Sequence, residues 1–240
     1  LTKDSDYSVF SFCFSIFIKN MFGELTNIDK KVKSEWITFL QNLQDKNTGL
    51  FIDPESKSKA TDSEHDSNHL NIQLTTFCVA ALDCLDSSSR YPLKFVEEYY
   101  NPSYLNDWLG KLNWRRSSNS GNKVMFIAIC LIYNYERFGI RKAKLALDIW
   151  FMWMDKNQNS KTGFWSIDTN GSYMQGMSGF YHQFVIYMYM DRQVQYQSKL
   201  VDKLLFIQQP DGLFYPGNGG GSCYDIDGIT PLIYFYKNNN

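Results

Sequence analysis

Two kinds of stretch alternate along the chain. Tyr7–Phe22, Leu70–Leu85, Lys123–Phe138 and Gly179–Met190 are apolar on nearly every side, the pattern of a buried helix. Between them, Ile28–Gln44, Lys142–Asp155 and Gln197–Gln208 keep their charges to one side, the pattern of a half-exposed helix. One period is therefore a buried helix followed by a half-exposed one. Strand signals are weak, and Gly-Leu-Phe-x-Asp predicts short extended pieces at most.

A punctuation mark recurs with the helices. The unit is a helical stretch, a polar run, a glycine and a large apolar pair. Trp36–Gln44 leads to Gly49-Leu50-Phe51, Trp150–Asp155 to Gly163-Phe164-Trp165, and Leu204–Gln208 to Gly212-Leu213-Phe214. Gly49 and Gly163 lie 114 residues apart, two periods of 57. A degenerate copy is expected at Trp108–Trp114. Common helical solenoids repeat every ~34–47 residues, so the longer period favours an α/α toroid, with an open solenoid as the alternative. Four helix pairs fit, and Thr230–Lys237 begins a fifth. A six-pair ring is then incomplete, and a second copy or a further segment is expected to cover its apolar edge.

Composition narrows the classes. The 240 residues carry 24 Lys and Arg against 25 Asp and Glu, a net charge of −1. No cation surplus is present to neutralise phosphates, so nucleic acid is not an expected partner. No apolar run reaches the ~18–20 residues of a membrane span. Tyr7–Ile18 resembles a signal-peptide core, but Asp4 and Asp6 precede it instead of a basic region, so it reads as a buried helix. A start at Leu1 suggests a fragment or a processed product. The five cysteines match no zinc spacing, and four lie in apolar helical runs, which favours a reducing, cytoplasmic setting. Aromatic residues reach 17%, enough for a deep core or a ring-walled cavity. A single domain over 1–240 is expected, with Phe12, Phe77, Ile127, Leu131, Phe184 and Tyr187 in its core.

Candidate chemistry follows from the ring. If the buried helices run parallel, their N-terminal ends share one mouth, where the dipoles favour anions. Those positions hold Asp4 and Asp6, His65 and His69, Asn119 and Asn122, Tyr181 and His182, and Asp225 and Asp227. All three histidines are among them. Each also has a plain reading: Asp6 as a helix cap, His182 as a satisfied core residue. His65 and His69 have ligand spacing but no third ligand, so no metal is expected, and nothing calls for a cofactor. Thr230-Pro231 reads as a helix start. That places Asp225 and Asp227 just ahead of it, where two close carboxylates would split their pKa values for acid/base work. The catalytic set expected is Asp225, Asp227, His182 and His69, with Asp6, Asn122, Tyr181 and Trp165 against the substrate.

These units resemble the α/α-toroid superfamily that includes class II terpenoid cyclases and protein prenyltransferase β subunits. Gln44…Gly49-Leu50-Phe51 and Gln208…Gly212-Leu213-Phe214 resemble the cyclases' Gln…Gly-x-Trp repeats, and Gly163-Phe164-Trp165 supplies the tryptophan. Asp225-Ile226-Asp227-Gly228 resembles their Asp-x-Asp-Asp acid motif, with Gly228 in place of the last Asp. Carbohydrate-active α/α barrels share the same pattern. Three functions are expected from these residues, the incomplete fifth pair and the resemblance together. The first is acid/base action on a glycan or sugar conjugate as hydrolase, lyase or epimerase, with an oligosaccharide or other small molecule as substrate. The second is an isoprenoid cyclase or prenyltransferase-like role with Asp227 as acid. The third is a non-catalytic binding scaffold.

Overall fold

A computed structural model describes residues 8–54, 67–166, 173–215 and 222–238. Among these, 74% are helical and none forms a strand, as an all-α chain requires. The helices are α1 (Val9–Met21), α2 (Lys30–Asn42), α3 (Ser67–Cys84), α4 (Pro102–Lys111), α5 (Ser117–Phe138), α6 (Arg141–Asn157), α7 (Tyr173–Tyr189), α8 (Gln197–Ile207) and α9 (Ser222–Asn238). Several starts carry their own caps. Ser8 accepts from Ser11 N, Asp29 from Lys31 N, and Asn101 from Ser103 N and Tyr104 N ahead of Pro102, each satisfying amides that a helix start leaves open.

The chain divides into two compact units. Leu1–Tyr100 and Ile129–Lys144 make one; Asn101–Ala128 and Leu145–Asn240 make the other. In the first unit α3 packs along α1 and also touches α2. Leu40, Phe51, Leu74, Leu82 and Leu131 are fully shielded there. α1 is not buried all round as its pattern suggested. Phe14, Ile18, Met21 and Phe22 stand 50–74% exposed, and Phe12 and Phe77 are only half-buried. In the second unit α7 packs against both α8 and α9. Phe180 stacks on Phe184 and Trp165, and Trp165 leans on Tyr187. Ile127, Phe184 and Tyr187 are buried as expected.

The recurring glycine unit is a real structural repeat. Gly49, Gly163 and Gly212 have φ of +78°, +79° and +85°, a left-handed conformation that glycine adopts without strain. The two full copies share their main local bonds. Asp45 and Asn159 each accept from the amides two and three residues on, and Leu50 N and Phe164 N each bond the preceding threonine hydroxyl. An isolated antiparallel bridge joins Gln44 to Phe51.

A glutamine fastens each full copy to the next segment. Gln44 Nε2 donates to Gly49 O and Tyr91 O, and its Oε1 accepts from Tyr91 N. Gln158 repeats this on Gly163 O and on Gln195 O and N. The second copy is therefore built on Gln158, five residues before its glycine like Gln44, and not on the earlier stretch ending at Asp155. Gln208 keeps the first bond, to Gly212 O at 2.7 Å. The expected copy at Trp108–Trp114 is not a turn of this type: Trp114 opens a short 3-10 helix and stacks on Trp153. Gln158→Ala should strand two backbone groups of Gln195 and cost about 2–3 kcal/mol. Gln208→Ala should cost about 1 kcal/mol or less, and urea unfolding of the two variants separates these values.

Three odd-numbered helices begin earlier than the apolar pattern predicts. α5 starts at Ser117, α7 at Tyr173 and α9 at Ser222. The extra turns are rich in Gly, Ser and Asn, which read as breakers in sequence. Here they are close-packing surfaces. A Cβ on Gly179 would lie 2.6 Å from Ser117 O, one on Gly121 2.9 Å from Gly179 O, and one on Gly176 2.7 Å from the Phe164 ring. Ser117 Oγ donates to Gln175 O and Ser120 Oγ to Asn113 O. Small side chains let the backbones of α5 and α7 pass almost in contact.

Candidate active site on α7 and α9

Ser178, Tyr181 and His182 occupy positions i, i+3 and i+4 of α7, hence one face of the helix. α9 packs along α7 and brings Asp227 and Thr230 to that face. Ser178 Oγ donates to Asp227 Oδ2 at 2.6 Å. Asp227 is 3% exposed. Burial pushes its carboxyl up to about 6, with the Ser178 hydrogen bond acting in the opposite direction. Loss of water penalises the charged form, and a donor to the carboxylate restores part of it. Tyr181 shares a hydrogen bond with Thr230, and burial together with the Asp227 charge holds its phenol above the usual range.

His182 stands beside them, its ring centre 6.4 Å from that of Tyr181. Burial lowers it to about 4, opposed by a hydrogen bond to the Ser118 carbonyl. The ring is therefore neutral at pH 7. Its Nδ1 is buried with no partner among the described residues, so the bond to Ser118 belongs to Nε2–H and Nδ1 is an acceptor. Serine, histidine and aspartate meet here without forming a nucleophile relay. The carboxylate engages the serine directly and the imidazole engages a backbone carbonyl, whereas a relay needs histidine between the two.

The expected carboxylate pair separates. α9 begins eight residues before Thr230 and carries Pro231 inside it, so Asp225 and Asp227 are helical and not ahead of a cap. Two positions apart on a helix is a rotation of ~200°, and the two side chains take different work. Asp225 accepts from Phe214 N at 2.7 Å and Tyr215 N at 3.3 Å, pinning the third glycine turn to α9. Gly228 also has a steric reason to be glycine. A Cβ there would lie 2.5 Å from the buried Phe214 ring, so any side chain would force that ring to shift. Pro231 cannot donate to the carbonyl of Asp227, which adds a polar atom beside the buried carboxyl.

The other expected residues are distributed as follows. His182 lies in the middle of α7 and not at its start. Tyr181 is half-buried at the site. Asn122 is half-buried on α5, four residues after Ser118 and on the same helix face. Trp165 is a core residue and not a substrate wall: it is 2% exposed and its Nε1 donates to Met154 O. His69 is buried in the first turn of α3, in the first unit. Asp6 and His65 lie outside the described residues. Ser178 went unread in the sequence, although the Ser178–His182 spacing of four is a legible signal, and Thr230 reads there only as a helix start. Beside Asp225, Tyr215 and the half-buried Tyr224 stack at 5.9 Å with 29° between ring planes, and Tyr215 is 39% exposed. Among the described residues no group of three or more His, Cys, Asp or Glu is placed to hold a metal ion, and no helix is long and apolar enough to cross a membrane.

Asp227 and His182 pull stability in opposite directions. The folded value of Asp227, about 6, lies above the ordinary 3.8. Its contribution is full below pH ~4 and is lost as pH rises through about 6, roughly 3 kcal/mol in all. His182 falls from 6.5 to about 4, so its contribution is present above pH ~6.5 and is lost as pH falls towards 4. In the intact chain the two slopes oppose each other. Asp227→Asn should leave a protein that weakens on acidification from pH 6.5 to 4, and His182→Gln one that weakens as pH rises over the same range. Unfolding midpoints across that range test both signs. No family model, curated protein or solved structure matches this chain.

Proposed function

We propose that the α7–α9 face is the acid/base site of an enzyme acting on a glycan or sugar conjugate, on an α/α-toroid scaffold. The observation that carries this reading is one carboxyl, Asp227, shielded from water and poised to hold a proton near pH 6 beside Tyr181. A general acid works best when its pKa is near the operating pH. Asp227 gives the proton to the departing sugar oxygen, and Ser178 steadies the carboxylate that remains. The stacked Tyr215 and Tyr224 offer a flat apolar face to the C–H side of a ring, with polar groups alongside, as sugar sites require. The engagement of Asp225 with backbone amides argues against two-carboxylate hydrolysis, which needs a second free carboxyl. It leaves Asp227 as the single acid, with the neutral phenol of Tyr181 beside it as a hydrogen-bond donor.

A second reading, the binding scaffold, draws support from the same Ser178–Asp227 bond, which satisfies the carboxyl inside the protein. One experiment separates them. A panel of neutral and uronate-containing oligosaccharides is screened by aromatic fluorescence and by product chromatography. The enzyme reading expects one saccharide to be converted by the wild type and bound but not converted by Asp227→Asn. Binding without conversion by either protein supports the scaffold, and no binding by any member of the panel overturns the glycan reading.

A further inference from the structure

Cys13 of α1 and Cys78 of α3 are both 0% exposed, and their sulfur atoms lie 3.9 Å apart. They meet across the main packing contact of the first unit, 65 residues apart in the chain. A disulfide needs sulfurs at ~2.05 Å on suitably close backbones. Two thiols already in contact on facing helices reach that with side-chain rotation and a small helix shift. We infer that Cys13 and Cys78 are a disulfide-forming pair that fastens α1 to α3 on oxidation.

The fold explains how a shielded pair reacts. Burial pushes the Cys78 thiol well up, which leaves little thiolate, the attacking form, while the helices are closed. α1 is the element able to open. One side of it faces solvent through Ile18, Met21 and Phe22, while it rests on α3 through Cys13 and Phe14 and on α2 through Phe12. An element with a solvent-facing side opens locally at less cost than the whole fold. In the opened state one thiolate attacks a small-molecule disulfide such as glutathione disulfide. The protein sulfur forms a mixed disulfide, and one glutathione leaves as thiol with the proton. The second protein thiolate then attacks the protein sulfur of that mixed bond and expels the second glutathione. Two protein thiols are oxidised and one glutathione disulfide is reduced to two thiols. Closure of a loop of 65 residues then restricts the unfolded chain.

The test uses the full chain with Cys223→Ser, which removes the exposed thiol. The protein is incubated with glutathione disulfide, free thiols are alkylated, and peptides are mapped by mass before and after reduction. The inference expects one cross-linked pair of peptides carrying Cys13 and Cys78, faster formation in mild urea, and a thermal midpoint raised by roughly 5–10 °C that returns to the starting value on reduction. Cys78→Ala in the same background should show neither the cross-link nor the rise. Recovery of Cys13 and Cys78 both alkylated after exposure in mild urea would overturn the pairing. A cross-link that leaves the midpoint unchanged or lower would overturn the fastening.

Discussion

Gly49→Ala should cost about 3–5 kcal/mol, whereas the same change at Gly212 should cost about 1 kcal/mol. Both glycines have strongly positive φ, +78° and +85°, so each pays for a left-handed alanine. Their surroundings differ. A Cβ at Gly49 would lie 2.4 Å from Pro92 O, 2.7 Å from Leu93 Cα and 2.9 Å from Lys94 N. All three are backbone atoms, and that segment is held by Gln44 on Tyr91 and by Phe95 N on Thr48 O. It cannot yield without breaking the staple. At Gly212 nothing lies within 4 Å, and only the dihedral cost remains. Gly163 is intermediate, since the clash there is chiefly with the Leu200 side chain, 2.5 Å from the new Cβ. Urea unfolding should rank the three variants 49, 163, 212 from most to least destabilised. Equal costs at 49 and 212 would remove the close approach of Pro92.

Asp227→Asn should lower turnover of a converted saccharide by roughly 10²–10⁴-fold with binding retained. Asparagine keeps an oxygen for the Ser178 hydroxyl but has no proton to deliver. The fold should not suffer. Above pH 6 the variant should be the more stable protein, because the cost of a buried charge is gone. The pH dependence gives a finer check. An acid that must be protonated limits the rate as pH rises through about 6. Ser178→Ala removes the donor that opposes the rise in pKa, so it should move that limb to higher pH while keeping turnover at acid pH. Loss of turnover at every pH in Ser178→Ala would instead make the hydroxyl a direct participant.

Periodicity made the helices legible, and the turns at Gly49 and Gly163 were legible as a repeat through their glycines and the large apolar pairs that follow, although Gln158 was not legible as the counterpart of Gln44. Asp45 and Asn159 cap their turns, and Gly49 and Gly163 supply the positive φ. The first turns of α5, α7 and α9 were not legible. Ser117, Gly121, Gly176, Gly179 and Gly228 are small because another backbone or ring lies against them, and a single sequence does not show which partner approaches. The same gap hid the site. Asp225 and Asp227 look like a pair when read as loop, since neighbours in an extended chain stay close. Once the helix extends back to Ser222 they diverge, one to the amides of Phe214 and Tyr215, the other to Ser178. In sequence Trp165 reads as a substrate contact. Its partners Met154, Phe180 and Tyr187 make it core.

The most direct test of a buried, protonatable acid between α7 and α9 is a carbon-detected NMR titration of the Asp227 side-chain carboxyl. A pKa near 6, rising further in Ser178→Ala, is the result expected from burial opposed by one hydrogen bond. A value at or below the ordinary 3.8, unmoved by Ser178→Ala, would place Asp227 in water and contradict the site.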